Sequence, residues 1–281
     1  MTTPPETLRR LAGSFYAAPA DCDLEHFCTL LAARDIGGVG LTARAVQTHT
    51  PQRLTALLHN HELTCVSLNS AGYFLHDDRQ TARSQAELDN RLLACAAALD
   101  APVNVITGGL GHMGGGTRPR TLDRARARVG QRLAELWARA EREGARLSLE
   151  PIHPLGIADK GCINQLSHAR ETIATLPGTG LTLDLYHSWW DAELENTITL
   201  ATADLAVVQL CGVQLSDAAG IPKRTHMGSG IADVGHVLSL LDVARYPGLL
   251  EYEVFFDQID TPTVEALLDR AVVDYLDLAP S

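Results

Sequence analysis

The chain has 281 residues, with 23 Lys and Arg against 34 Asp and Glu and a formal charge of −11. At 46% hydrophobic and 20% charged residues it can bury a large core and is excluded from the disordered class. The acidic balance and the lack of a Lys/Arg cluster argue against a binder of phosphate backbones, and the longest run free of charged residues, 101–117, holds six glycines and is no membrane helix.

Short β-type runs alternate with longer helical patterns along the whole chain. The expected strands are 11–16, 37–41, 64–69, 102–107, 146–150, 180–185, 211–215 and 249–255. The expected helices are 23–35, 51–61, 79–99, 122–143, 164–176, 193–204, 232–244 and 263–278. Asp21 is a candidate cap for the first helix, and Thr50 with Pro51 in the first turn marks the start of the second. Eight strands each followed by a helix is the count of a (β/α)8 TIM barrel, an α/β fold. An open doubly wound sheet also alternates, but it would carry G-x-G-x-x-G after its first strand, and that loop is missing here. With no linker-like run and no repeat, one domain over 1–281 is expected.

Arg9 and Arg10 before 11–20 faintly imitate a secretion signal, but Ser14 and Tyr16 break the apolar part and Glu6 lies on the wrong side. The segment therefore reads as the first strand. Cys22, Cys28, Cys65, Cys95, Cys162 and Cys211 show no C-x-x-C pair and no zinc-finger spacing, so they read as reduced, mostly buried thiols of a cytoplasmic protein.

Alternate residues of a barrel strand point inward, and the active site lies at the C-terminal ends of the strands. This parity turns Ser148 and Glu150, Thr182 and Asp184, Gly212 and Gln214, and Glu251 and Glu253 inward on the last four expected strands. Each of those strands then ends its inward face on an oxygen donor. Carboxylates converging in this way need a cation. An oxygen-only set made of Glu150, Asp184, Gln214 and Glu253 suits Mg²⁺ or Mn²⁺, allows Co²⁺ or Fe²⁺, and disfavours zinc. Glu253 is preferred to Glu251 because it lies about 6 to 7 Å further towards the C-terminal end. Glu251 is then a deeper residue, expected to pair with an Arg, a Lys or water.

The stretches LSLEPIHP (147–154), LTLDLYHSWWD (181–191), VQLSD (213–217), KRTHMGSGIADV (223–234) and LLEYEVFF (249–256) resemble the xylose-isomerase-like TIM barrels. More narrowly they resemble the sugar (phosphate) isomerase/epimerase and inosose-dehydratase branch. The resemblance implies one divalent ion on Glu150, Asp184, Gln214 and Glu253, although many members have His where Gln214 stands. A further Glu of the ketose 3-epimerases falls on Gly156, which argues against that reaction. The resemblance also implies substrate contacts from His187 and Arg224.

On the same rim, His153 is expected to bind substrate beyond the strand-breaking Pro151, and Trp189 and Trp190 adjoin the site. Asp217 is expected to orient Gln214 or meet a hydroxyl. The glycine-rich run 108–116 lacks the Lys-Ser/Thr of a P-loop and reads as a lid or close-approach loop.

These expectations define a metal-dependent isomerase or epimerase of a polyhydroxy carbonyl substrate. Glu150 and Glu253 would transfer the proton and His187 would act on the substrate side. A dehydratase or decarboxylase of the same fold is the alternative, followed by a non-catalytic sugar-binding barrel. The endonuclease IV relatives cleave DNA with a His-rich trinuclear zinc site and a basic face, and this chain has neither. Nucleic acid and membrane partners are not expected, and a homodimer is compatible with the sequence.

Overall fold

A computed structural model describes residues 4–114, 121–215, 220 and 222–280. Eight parallel strands close into a barrel, with helices on the outside. The strands are β1 (Leu11–Ser14), β2 (Gly38–Thr42), β3 (Thr64–Gly72), β4 (Pro102–Ile106), β5 (Arg146–Leu149), β6 (Gly180–Asp184), β7 (Leu205–Leu210) and β10 (Leu250–Tyr252). Each pairs with its neighbour in chain order, and β10 closes the ring between β7 and β1. β8 (Gly212–Gln214) and β9 (Lys223–Thr225) form a separate antiparallel ribbon after β7.

The helix starts follow from side chains at their first residues. Asp23, and not the expected Asp21, accepts the His26 N–H and caps Leu24–Ala32. Thr50 accepts from Arg53 N–H with Pro51 in the first turn, Asp78 caps Arg79–Leu99, and Thr121 caps Leu122–Glu143. The last of these ends on Gly144 at φ 71°, a conformation that costs glycine little. The apolar faces of these helices, with Phe27, Leu31, Leu54, Leu92 and Leu133 fully buried, pack on the outer face of the barrel. All six cysteines are buried and free. Among the described residues no helix is long and apolar enough to cross a membrane.

One expected strand moves. Strand seven was placed at 211–215, whereas β7 occupies Leu205–Leu210. The run Leu-Ala-Val-Val-Gln-Leu is the near-continuous apolar pattern of a parallel strand buried on both faces. The inward polar residue of that strand is therefore Gln209, which is fully buried, and Gln214 sits exposed on the ribbon.

The barrel interior is polar and hydrogen-bonded. Glu251 accepts from Ser67 Oγ at 2.7 Å and from Gln209 Nε2 at 3.2 Å, and not from an Arg or Lys. Asn69 Nδ2 donates to Ser67 Oγ, and Asn104 Nδ2 donates to Asn69 Oδ1 and to Glu150 Oε2. A chain of side chains thus links Glu251 on β10 to Glu150 beyond β5 through β3 and β4. Such a network specifies its members' positions as long as each is paired.

Gly40 on β2 leaves the room that Glu251 needs. A Cβ there would lie 1.8 Å from Glu251 Oε1 and 2.9 Å from Ser67 Oγ. Gly40→Ala should therefore displace the carboxylate and cost about 1–3 kcal/mol. That is roughly 2–12 °C in melting temperature for a chain of this size. An unchanged melting temperature would show that the Glu251 pocket is slack.

Candidate active site

The C-terminal mouth of the barrel gathers Glu150, Asp184, His187, Arg224 and Glu253. Asp184 ends β6 and accepts the Tyr186 N–H at 2.9 Å, which starts the single helical turn Leu185–Ser188. Residues three apart on a turn share a face, so His187 folds back over its own capping carboxylate. Expected on the substrate side, it is 4% exposed and stands against the two carboxylates themselves. Its Nδ1 accepts the His153 N–H at 3.1 Å. Its Nε2 has no hydrogen-bond partner and lies 3.5 Å from Glu150 Oε1 and 3.8 Å from Asp184 Oδ2. Burial holds the imidazole well below its ordinary pKa although Asp184 opposes the shift, so the ring is neutral near pH 7.

Glu150, Asp184 and His187 form a buried group whose donor atoms lie within 4.8 Å of one another and could hold a metal ion. The unpartnered Nε2 aimed between two carboxylates fits such an ion. An ion at Nε2 needs the ring proton on Nδ1, so its uptake also requires the His153 amide to leave that nitrogen. The donor set departs from the expected one. Gln214 is outside it, exposed on β8, and an imidazole is inside it.

Glu253 follows β10 and enters the site through Arg224. The guanidinium lies 2.5 Å and 3.1 Å from the two oxygens of Asp184 and 2.9 Å from Glu253 Oε2. It is 4% exposed, with the Tyr186 ring centre 4.5 Å away and that of Phe255 5.4 Å away. The sequence placed Arg224 in a loop facing substrate; here the protein's own carboxylates occupy its fork.

The carboxyl groups are driven apart in proton affinity. Burial, reinforced by Asp184, pushes Glu150 up to about 7, against the lowering effects of Lys160, Asn104 and Arg224. Burial raises Glu253 well above the ordinary range despite Arg224. Asp184 is equally buried, but Arg224 and His187 outweigh the desolvation and hold it below the ordinary range. One acid stays ionised while two hold protons near neutrality.

Above these groups lies a cavity of about 340 Å³, with His153, Lys160, Tyr186, His187, Arg224 and Phe255 on its wall. His153 is therefore at the rim, its Nδ1 accepting from Leu155 N–H. Trp189 packs against the core, while Trp190 donates to His187 O and meets His153 edge-on with ring centres 5.7 Å apart. Asp217 lies outside the described residues. A larger cleft of about 740 Å³ runs between Arg79–Leu99 and Leu122–Glu143 and includes none of the mouth carboxylates.

Lys160, Asn104 and Phe255 were not anticipated. Asn104 was legible, since strand parity applied to strand four turns it inward. Lys160 carries no sequence signal; only the path of its loop brings it to the cavity.

A closed parallel barrel with acidic side chains gathered at its C-terminal mouth defines a TIM-barrel protein with an enzyme-like site. The chain belongs to the xylose isomerase-like TIM barrel family, whose sequence profile matches residues 30–272. Protein SMc04130 from Sinorhizobium meliloti 1021 superposes with a TM-score of 0.84 at 24% identity, over 98% of this chain and 100% of that one. The IolI protein, whose structure has a bound zinc atom, superposes at 0.74 with 16% identity over 95% and 97%. The 3-keto-D-glucoside 4-epimerase YcjR from E. coli superposes at 0.74 with 17% identity over 96% and 98%. No curated protein matches the chain in sequence.

Proposed function

We propose that the protein transfers a proton at the carbon beside a carbonyl group of a polyhydroxy substrate, as an isomerase or epimerase. One observation carries this reading: two buried carboxyl groups of the mouth, Glu150 with Oε1 3.5 Å from His187 Nε2 and Glu253 with Oε2 2.9 Å from Arg224, flank the Asp184–Arg224 pair below the cavity. Burial brings the proton affinity of Glu150 to about 7, near the working pH, which suits general acid–base catalysis, and raises that of Glu253 well above the ordinary range. A divalent ion on Glu150, Asp184 and His187 would supply positive charge to the substrate's carbonyl oxygen, and two oxygens with one imidazole nitrogen suit Mn²⁺, Fe²⁺, Co²⁺ or Zn²⁺ better than Mg²⁺. Glu150 in its ionised form takes the proton, and Glu253, which favours its protonated form, returns one from the β10 side. His153 and Tyr186 position the hydroxyl groups. The zinc in IolI and the epimerase activity named for YcjR accord with this chemistry.

The test is deuterium exchange. The metal-loaded protein in D₂O, offered ketoses, keto-inositols, 3-dehydroshikimate and small hydroxy-keto acids, should exchange an α-proton of at least one, seen by NMR. Product of retained mass marks an isomerase or epimerase, and loss of water marks a dehydratase. Neither exchange nor product with metal bound would make this a binding protein.

A further inference from the structure

One cation at the mouth is not consumed by the protein. Lys160 stands on the wall of the 340 Å³ cavity, half-buried, with Nζ 6.0 Å from the centre of the Phe255 ring. Among the described residues its ammonium has no carboxylate within ion-pair distance, whereas Arg224, against the same ring, is saturated by Asp184 and Glu253. Its charge nonetheless reaches the site: it bears on the proton affinities of Glu150, Asp184 and His187.

The backbone under Lys160 is fixed. Lys160 O accepts the Gly108 N–H at 2.9 Å, and Lys160 N–H donates to Gly156 O at 2.8 Å. Leu110 and Gly111 donate to Ile157 O and Ala158 O, and Gly108 bridges to Gly161 in parallel. This contact needs glycine, because a Cβ on Gly109 would lie 2.3 Å from Asp159 N and one on Gly111 2.6 Å from Ala158 O. The glycine run after β4 is thus a close-approach segment holding the Lys160 loop against the mouth.

A protein with a formal charge of −11 repels anions, and the charge of Arg224 at the mouth is already taken by the ionised Asp184. A neutral sugar needs no free ammonium there, whereas an anionic ligand does. We propose that Lys160 binds a carboxylate or phosphate group of the substrate, so that the substrate is an acidic polyhydroxy carbonyl compound and not a neutral sugar. This rests on the mouth being the site of proton transfer.

Inorganic phosphate and malonate should be titrated into the full-length protein by calorimetry, for wild type, Lys160→Gln and Lys160→Arg. Wild type should bind at least one of the two anions, with affinity falling as salt rises. Lys160→Gln should weaken that binding by roughly 10- to 100-fold, and Lys160→Arg should retain it. The anion more affected identifies the source: phosphate means a sugar phosphate and malonate a sugar acid. An ion bound directly at a metal would be indifferent to the substitution. Equal binding by wild type and Lys160→Gln, or no binding by wild type, overturns the proposal.

A second arm separates it from the reading it rests on. In D₂O, wild type should exchange acidic substrates at least about tenfold faster than neutral ones of equal length, and Lys160→Gln should lose the preference. Equal exchange of neutral and acidic compounds overturns the Lys160 assignment and leaves proton transfer standing. Lys160-dependent anion binding with no exchange of any compound retains the anion site and removes the enzyme.

Discussion

Glu150→Gln should slow α-proton exchange by about 10²- to 10⁴-fold, the usual contribution of a positioned acid or base. The same substitution should leave the metal-free protein at least as stable as wild type at pH 8. In the folded chain burial and Asp184 hold the Glu150 carboxyl at about 7, against an ordinary value of 4.5 that applies once the chain unfolds. Between those two pH values the unfolded chain releases a proton that the folded chain keeps, so wild type loses stability as pH rises through the window. Gln cannot ionise, and the melting temperature of the variant should vary less with pH there. It can also still accept the Asn104 hydrogen bond through its amide oxygen. Exchange within a few-fold of wild type would remove Glu150 from the chemistry. Parallel pH profiles of the two proteins would show that its ionisation is not linked to folding.

Asp184→Asn should cost about 3 kcal/mol of stability, the lower end for breaking a buried ion pair, because Glu253, relieved of the Asp184 charge that raises its proton affinity, can ionise against Arg224. For a domain of this size that is roughly 6–12 °C in melting temperature. The cause is the guanidinium left behind: it is 4% exposed and loses two of its carboxylate contacts. Asp184 also belongs to the group of potential metal ligands, so metal uptake measured by elemental analysis should fall with it. Adding Arg224→Met should return part of the lost stability, since removing both charges leaves neither uncompensated. A double variant less stable than the single one would show that Arg224 is held by Glu253 and the aromatic rings and not by Asp184.

The barrel was readable because its strands and helices alternate so regularly, and the strand ends at Glu150, Asp184 and Glu253 followed from period-two parity. Parity failed at strand seven for a local reason. The run 205–210 is almost continuously apolar and 211–215 alternates, so either can be a strand, and the choice between them depends on pairing: Gln209 sits opposite Asp184 and Glu251 across neighbouring strands. Selecting 211–215 carried Gln214 into the donor set. The resemblance gave His187 a substrate contact, and strand parity turns it away from Glu150 and Asp184; Asp184, however, ends the strand by capping a helical turn, which reverses the facing. The place of Lys160, and the Asn69–Asn104 and Asn104–Glu150 links of the relay, depend on contacts 35 or more residues apart in sequence, where local periodicity carries no information.

The ribbon of β8 and β9 delivers Arg224 to the mouth from outside the barrel wall. A wall strand offers its interior only every second residue, at heights tied to seven other strands. The internal register of the ribbon is three pairs, Gly212 with Thr225, Val213 with Arg224 and Gln214 with Lys223, and its β8 strand is tied to the following loop by the Ile231 N–H donating to Val213 O. A slip of one residue there would present Lys223 or Thr225 where Arg224 now stands, without changing any pairing in the barrel. The charge that faces Asp184 and Glu253 can therefore be retuned as an independent module, which makes 212–214 and 223–225 the natural segment to randomise when new substrate preferences are sought on an unchanged scaffold.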